Sequence, residues 1–156
     1  MFASFAMLLN FSKHGKMIGM CDVVVWSVRD ETLHCQGLVK LFKIFIAENP
    51  RIVTEDFKSE IYKLVPYLIE LEDAFIDRAF EIGAPQGITK DDTKTYARVV
   101  ADYRMNQLGF KSQYNLKNPF QWLDWVLSET TNEGFFESNV AGYSKNSMLG
   151  SYSTGY

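Results

Sequence analysis

The sequence has few cysteines, and this scarcity excludes a disulfide-stabilised fold. Its 156 residues include only two, Cys21 and Cys35. Both lie on one predicted helix, roughly 21 Å apart along its axis, so they cannot bridge each other. A chain without a disulfide framework favours a reducing, intracellular setting, and we predict that it resides in the cytoplasm.

Long apolar runs and an excess of one charge are also missing. No segment approaches the roughly 18 uninterrupted apolar residues that a spanning helix needs. The apolar start, "MFASFAMLLNF", lacks the basic region and the cleavage site of a signal peptide, so we expect none. Lys and Arg number 16 against 19 Asp and Glu, a net charge of −3. The sequence therefore predicts neither a membrane nor a nucleic acid as partner.

What the sequence has is helical patterning, with no β-alternation of useful length. Its length and its 47% apolar content suit one packed domain, and we predict an all-α fold. Thr54 and Thr89 are suitable N-caps, and Gly109 is a suitable stop. The helical domain should cover residues 1–137, followed by a flexible tail over residues 138–156, where Gly, Ser and Asn dominate. The predicted helices cover residues 1–12, about 17–47, 55–82, 90–108 and 118–127.

A single carboxylate interrupts the apolar stripe of the longest predicted helix. Residues recur on this stripe at steps of three and four, the spacing of a buried helix face. Every member is apolar or a thiol except Glu31, and an unpaired buried charge is very costly. Glu31 must therefore be protonated, paired or bound to a cation. The stripe consists of Val24, Val28, Glu31, Cys35, Leu38, Phe42 and Phe45.

His34 follows Glu31 by one helical turn, so the two side chains can grip the same metal ion. Carboxylate-bridged di-metal sites in helix bundles use Glu-x-x-His pairs of this kind. The alternative is a structural Glu–Arg or Glu–His pair. His14 is expected to be a solvated loop residue. A nearby acidic run offers further possible ligands, although it is more typical of a solvated helix face: Glu70, Glu72, Asp73 and Asp77.

Several blocks of the sequence, in order, resemble the small, radical-generating subunit of class I ribonucleotide reductase. "WSVRDETLHCQGLVKLF" resembles a metal-binding helix of that family, and "FASFAMLL" resembles the helix before it. Later helices are matched by "LVPYLIELEDAFIDRAFE", "YARVVADYRMNQLGF" and "NPFQWLDWVL". "FFESNVAGYSK" resembles the start of its C-terminal tail. The resemblance implies a ferritin-like helix bundle that is incomplete, because only the C-terminal half is matched.

The resemblance implies that Glu31 and His34 are two ligands of a di-iron, manganese/iron or di-manganese centre. The other ligands, the oxidisable tyrosine and the electron-passing tryptophan have no counterpart in this sequence. Asp30 matches a residue that hydrogen-bonds a ligand histidine of the missing half and takes part in the electron path. The alternative for Asp30 is ordinary surface charge beside Arg29.

Tyr143 matches the tail tyrosine that relays the radical to the large subunit. A phenol suits that task because it can lose a proton and an electron together. The tail also departs from the family. Gly142 stands where an acidic residue is usual, and "GSYSTGY" lacks the acidic and apolar peptide that docks into the large subunit. Large-subunit binding is therefore expected to be altered.

The leading hypothesis is a component of ribonucleoside-diphosphate reductase, an oxidoreductase that makes deoxyribonucleotides. It implies three partners: a complementary N-terminal half, a homodimeric arrangement of the small subunit, and the large subunit. Two alternatives remain, a related carboxylate-bridged di-metal oxidase and a degenerate, non-catalytic helical partner protein. A half-bundle should also expose the apolar face of its long helix and be prone to association.

Overall fold

The computed structural model describes residues 2–127, and these residues form five α-helices with two short 3-10 turns. The expected all-α fold is confirmed. The helices are α1 (Phe2–Lys13), α2 (Ile18–Glu48), α3 (Glu55–Glu81), α4 (Lys90–Leu108) and α5 (Asp124–Leu127), and the turns are Pro50–Ile52 and Gln121–Leu123. No helix in the described range is both long and apolar enough to cross a bilayer. The predicted tail and its boundary lie outside the described residues.

Local caps fix three helix ends as the sequence predicts, whereas the helix predicted over 118–127 is only the 3-10 turn Gln121–Leu123 followed by α5. The Thr54 side chain accepts a hydrogen bond from the Phe57 amide at 3.1 Å and caps α3. Thr89 caps α4 by accepting from the Asp92 amide at 3.0 Å, while its hydroxyl donates to the Asp92 carboxylate at 2.7 Å. Gly109 ends α4 with a φ of 91°, which glycine adopts without strain.

Helix α1 lies against α2 and α4, and α3 packs along α4. The larger core joins α1, the N-terminal half of α2, α4 and the segment around α5, with Val28, Tyr96 and Leu123 almost completely buried. A smaller core lies between α1, α3 and α4 around Ile76. The larger core includes Cys21, Val24 and Val28 from the N-terminal half of α2, whereas no residue from the C-terminal half of this helix belongs to either core.

Acidic residues of α3 that the sequence offered as metal ligands instead pair with basic residues of α4. Asp73 makes a bidentate pair with Arg98 at 2.7 and 2.9 Å. Asp77 pairs with Lys94 at 2.9 Å and with Lys90 at 3.2 Å. Hydrogen bonds from these two lysines lower the pKa of Asp77 below its usual value. Asp73 and Asp77 of the acidic run therefore tie α3 to α4.

His14 is not the solvated loop histidine that the sequence suggested. Its ring is half-buried against the loop between α3 and α4, and its Nε2 atom is buried without a hydrogen-bond partner among residues 2–127. Gly87 has a φ of +79°, which favours glycine, and a Cβ atom there would lie 2.8 Å from that Nε2 and force the His14 ring to shift. The Asn10 amide donates to the Gln86 carbonyl at 2.7 Å and holds the two segments together.

The apolar stripe of α2 is buried only at its N-terminal end. Val24 and Val28 are buried, whereas Leu38 and Phe45 are 66% and 53% exposed. Phe42 is half-buried, because its ring lies 6.4 Å from that of Phe57. The prediction of one continuous buried stripe is thus wrong, since the described elements leave Leu38 and Phe45 largely uncovered. The expected exposure of the long helix is confirmed.

Candidate metal-binding site

The structure brings Glu31 and His34 together in the middle of α2. Glu31 Oε2 lies 3.5 Å from His34 Nδ1, and the two side chains are 29% and 61% exposed. On the other side of the imidazole, Asp30 Oδ1 lies 3.8 Å from Nε2. That distance suits an ion pair and is too long for a hydrogen bond. One carboxylate therefore faces each ring nitrogen.

The geometry of the Glu31–His34 pair fits two ligands of one metal ion. Oxygen and nitrogen ligands at about 2.0–2.2 Å from a tetrahedral ion lie roughly 3.3–3.5 Å apart. The observed separation is 3.5 Å. Within residues 2–127, however, no group of three His, Cys, Asp or Glu side chains could hold a metal. A metal held by this pair would therefore need further ligands from outside the described residues.

Cys35 lies beside the pair but is poorly suited to join it as a ligand. Burial raises the pKa of the Cys35 thiol; the Arg104 charge opposes this shift and the Glu31 carboxylate adds to it. A thiol must lose its proton to bind a metal strongly. Cys35 is consequently a neutral thiol at neutral pH. Both cysteines are free, as expected from their spacing.

The structural alternative for Glu31, a buried pair with arginine or histidine, is met in part: Glu31 pairs with His34 at 3.5 Å, but the pair is partly exposed rather than buried. Both members of the Glu31–His34 pair are accessible to solvent. Arg104, which lies near Cys35, is engaged elsewhere: its guanidinium lies 4.9 Å from the centre of the Phe2 ring and donates to Gln107 at 2.7 Å. The exposure and geometry of the pair are therefore compatible with a structural role and with metal binding.

The structure gives less information about the other predicted site residues, Asp30 and Tyr143. Asp30 is accessible at the surface of α2, which is compatible both with a relay role and with ordinary surface charge. Tyr143 lies outside the described residues, so its relay role stays a prediction. Sequence reasoning also missed Asp102, a buried acid of α4 whose carboxylate accepts hydrogen bonds from three successive amides, those of Gln113, Tyr114 and Asn115.

An all-α chain with a Glu-x-x-His pair on its longest helix is typical of the carboxylate di-metal helix bundles. Comparison with known proteins narrows that class. Residues 1–119 match the family model described as ribonucleotide reductase, small chain. Because this match covers most of the sequence, the chain belongs to the ribonucleotide reductase small chain family.

Individual relatives agree with the family match. The chain is 34% identical over 154 residues to a probable ribonucleoside-diphosphate reductase small subunit of Invertebrate iridescent virus 3. It is 30% identical over 142 residues to the ribonucleoside-diphosphate reductase subunit beta of Chlamydia pneumoniae. These alignments cover 97% and 91% of this chain but 41% of each relative. The chain thus spans less than half the length of the relatives it matches.

A solved structure from this family is also similar to the chain in three dimensions. A Bacillus halodurans protein described as a class I ribonucleotide reductase superposes with a TM-score of 0.74 at 27% sequence identity. The superposition covers 80% of this chain and 45% of that one. The expected fold, an incomplete ferritin-like helix bundle, is confirmed by this comparison.

Proposed function

We propose that this chain is the C-terminal part of a ribonucleoside-diphosphate reductase small subunit. The observation that carries the proposal is the Glu31–His34 pair, whose facing atoms lie 3.5 Å apart on the longest helix of a chain in this family. In this function the complete small subunit provides the radical with which the large subunit makes deoxyribonucleotides. The cytoplasm is the compartment we expect.

A complementary N-terminal half completes the bundle. Two features support this part of the proposal: the chain spans 41% of its viral relative, and it offers just two grouped ligands among the described residues. Exposed leucines on α2 and α3 provide apolar surface for such a partner. A groove of about 350 Å³ between α1, α3 and α4 adds to this surface, with Leu64, Leu68 and Val100 in its lining.

The residues of this chain would hold one metal of a di-iron, manganese/iron or di-manganese centre. Glu31 contributes a carboxylate oxygen and His34 the lone pair of Nδ1. When bound, the centre supplies the oxidising equivalent. Asp30 is exposed on the same turn of α2, where its carboxylate would accept a hydrogen bond from a ligand histidine of the missing half and fix the tautomer of that ring. Its exposure leaves it open to the missing half, where the electron path begins.

Tyr143 carries the radical from the small subunit to the large subunit in this proposal. Its phenol can lose a proton and an electron together, which supports a relay role. The atypical sequence around it supports a weaker or altered contact with the large subunit. Tyr143→Phe should therefore abolish deoxyribonucleotide formation while it leaves the metal content unchanged.

Reconstitution tests the proposal. The chain is produced with the part of the iridescent virus 3 small subunit that it does not match, and metal is measured in the purified complex. We expect iron or manganese in the complex in stoichiometric amounts, and loss of most of it in Glu31→Gln. The control is Glu48→Gln, which removes an exposed carboxylate from the far end of the same helix.

The same measurement distinguishes the second candidate, a non-catalytic helical partner protein. The observation that favours this candidate is the lack of a third ligand near Glu31 and His34 in the described part of the chain. A complex that forms but holds no metal under any loading condition would support the non-catalytic role. A metal-loaded complex that oxidises substrate without a large subunit would instead indicate a di-metal oxidase.

A further inference from the structure

Pro66 divides α3 into two parts that are held in different ways. The C-terminal part, residues 67–81, is joined to α4 by the ion pairs of Asp73 and Asp77. The N-terminal part, residues 55–65, lies on the other side of the proline, and we call it the α3 arm. A proline inside a helix removes one backbone hydrogen bond and weakens the helix at that point. The two parts of α3 can therefore move relative to each other more easily than two halves of an uninterrupted helix.

The carbonyl of Tyr62 is the group that loses its helical donor because of the proline. In a regular helix this carbonyl would accept from the amide of residue 66, and Pro66 has no N–H. The structure supplies another donor from a distant part of the chain. The Gln113 side chain, in the segment after α4, donates from Nε2 to the Tyr62 carbonyl at 2.9 Å. A side-chain amide thus replaces the missing backbone amide at the weak point of α3.

The segment after α4 makes further contacts with the same tyrosine. The Tyr62 hydroxyl accepts a hydrogen bond from the Lys111 amide at 2.9 Å. The Tyr62 ring lies edge-on to that of Phe110, with ring centres 5.7 Å apart. The backbone amide of Gln113 donates in turn to the Asp102 carboxylate of α4 at 2.7 Å. The segment is therefore fixed to α4 on one side and presents its donors to the α3 arm on the other.

We propose that Pro66 is a hinge in α3 and that the Gln113 side chain is the latch that holds the α3 arm closed. When the latch is released, the Tyr62 carbonyl has neither a helical nor a side-chain donor, and the arm opens locally. The C-terminal part of α3 stays in place, because its ion pairs with α4 lie beyond the hinge. The chain thereby has one helical segment that moves while the rest of the helix stays docked. The inference rests on contacts within residues 2–127 and is independent of the proposed function.

Amide hydrogen exchange of the full chain, followed by mass spectrometry of its peptides, tests the latch. Gln113→Met removes the donating amide at similar side-chain length and leaves the backbone bond to Asp102 in place. We expect exchange in the α3 arm to accelerate roughly three- to tenfold, the effect of one hydrogen bond on an opening equilibrium, and exchange in residues 67–81 to stay unchanged. The control, Gln121→Met, removes an exposed amide from the turn before α5 and should change exchange in neither part.

A second variant tests whether the proline and the latch act together. Pro66→Ala supplies a backbone N–H that can donate to the Tyr62 carbonyl within the helix, so exchange in the α3 arm should be slower than in the wild-type chain. In the Pro66→Ala background, Gln113→Met should change exchange in the arm by less than about twofold, because the carbonyl keeps a donor. The two substitutions are therefore expected to be coupled, whereas Gln121→Met should have no effect in either background.

Limited digestion with trypsin gives an independent readout, because Lys58 and Lys63 lie in the α3 arm and Arg78 lies in the C-terminal part. Gln113→Met should speed cleavage after the two lysines and leave cleavage after Arg78 unchanged. Equal acceleration of exchange in both parts of α3, or an equal effect of Gln113→Met with and without Pro66, would overturn the inference. Pro66→Ala tests the hinge by itself, since a failure to slow exchange in the arm would also overturn it.

Discussion

The buried carboxylate of Asp102 gives the sharpest prediction about stability. Its Oδ1 accepts from the Gln113 amide at 2.7 Å, and its Oδ2 accepts from the Asn115 amide at 2.7 Å and from the Tyr114 amide at 3.1 Å. The carboxylate thereby holds the loop after α4 against the helix. Hydrogen bonds to a charged group are each worth about 1.5–3 kcal/mol when buried.

We expect Asp102→Ala to lower the free energy of unfolding by about 3 kcal/mol, less than the sum of three buried bonds because water can reach part of the loop. The melting temperature should fall by roughly 6–12 °C. Urea denaturation followed by circular dichroism measures the free energy of unfolding, and a thermal scan measures the melting temperature. The control, Asp91→Ala, removes an exposed acid from the first turn of α4 and should cost less than about 1 kcal/mol. Equal losses in the two variants would refute the reasoning.

Two further predictions concern the cores. Burial raises the pKa of the Tyr96 hydroxyl well above its usual value, with a further contribution from Asp124. Because only the unfolded chain ionises this group above a pH of about 10, the protein should lose stability as pH rises further, and Tyr96→Phe should reduce that loss in denaturation series at pH 9–11. Replacement of Ile76, which is 0% exposed, by alanine should lower the free energy of unfolding by about 3 kcal/mol. The control Leu71→Ala, at an exposed site, should lower the free energy of unfolding by less than about 1 kcal/mol, as measured by urea denaturation. Equal losses in the Ile76 and Leu71 variants would contradict the assignment of Ile76 to the core.

The helices could be predicted from sequence because their ends depend on local chemistry. Thr54 and Thr89 accept hydrogen bonds from amides three residues ahead, and Gly109 adopts the left-handed conformation of a helix stop. These interactions involve residues within one turn. These helix ends can therefore be predicted from the local sequence, without knowledge of the rest of the fold.

Residues whose environment depends on distant segments were harder to predict. His14 is half-buried because the loop that contains Gly87 folds over it, 73 positions away along the chain. Asp102 is buried by the loop after α4, and the sequence of this loop has no apolar pattern from which its position could be predicted. Neither contact has a local sequence signal, although a lone acid within the apolar positions of α4 could have drawn attention to Asp102.

The proximity of Glu31 and His34 could be predicted from the sequence, but the burial of the residues around them could not. Periodicity places Glu31 and His34 on one turn of α2, and their atoms lie 3.5 Å apart. The same periodicity could not tell which part of the stripe is covered. That depends on elements that pack against α2, and Leu38 is exposed in this chain because the described elements leave it bare.

The central claim, that Glu31 and His34 hold a metal once a complementary half completes the bundle, is tested most directly by metal content. Inductively coupled plasma mass spectrometry is applied to the complex with the viral half, assembled from wild-type chain or from Glu31→Gln. We predict iron or manganese in the wild-type complex and a loss of most of it in the variant, with equal assembly of both. Equal metal in the two complexes would contradict the claim.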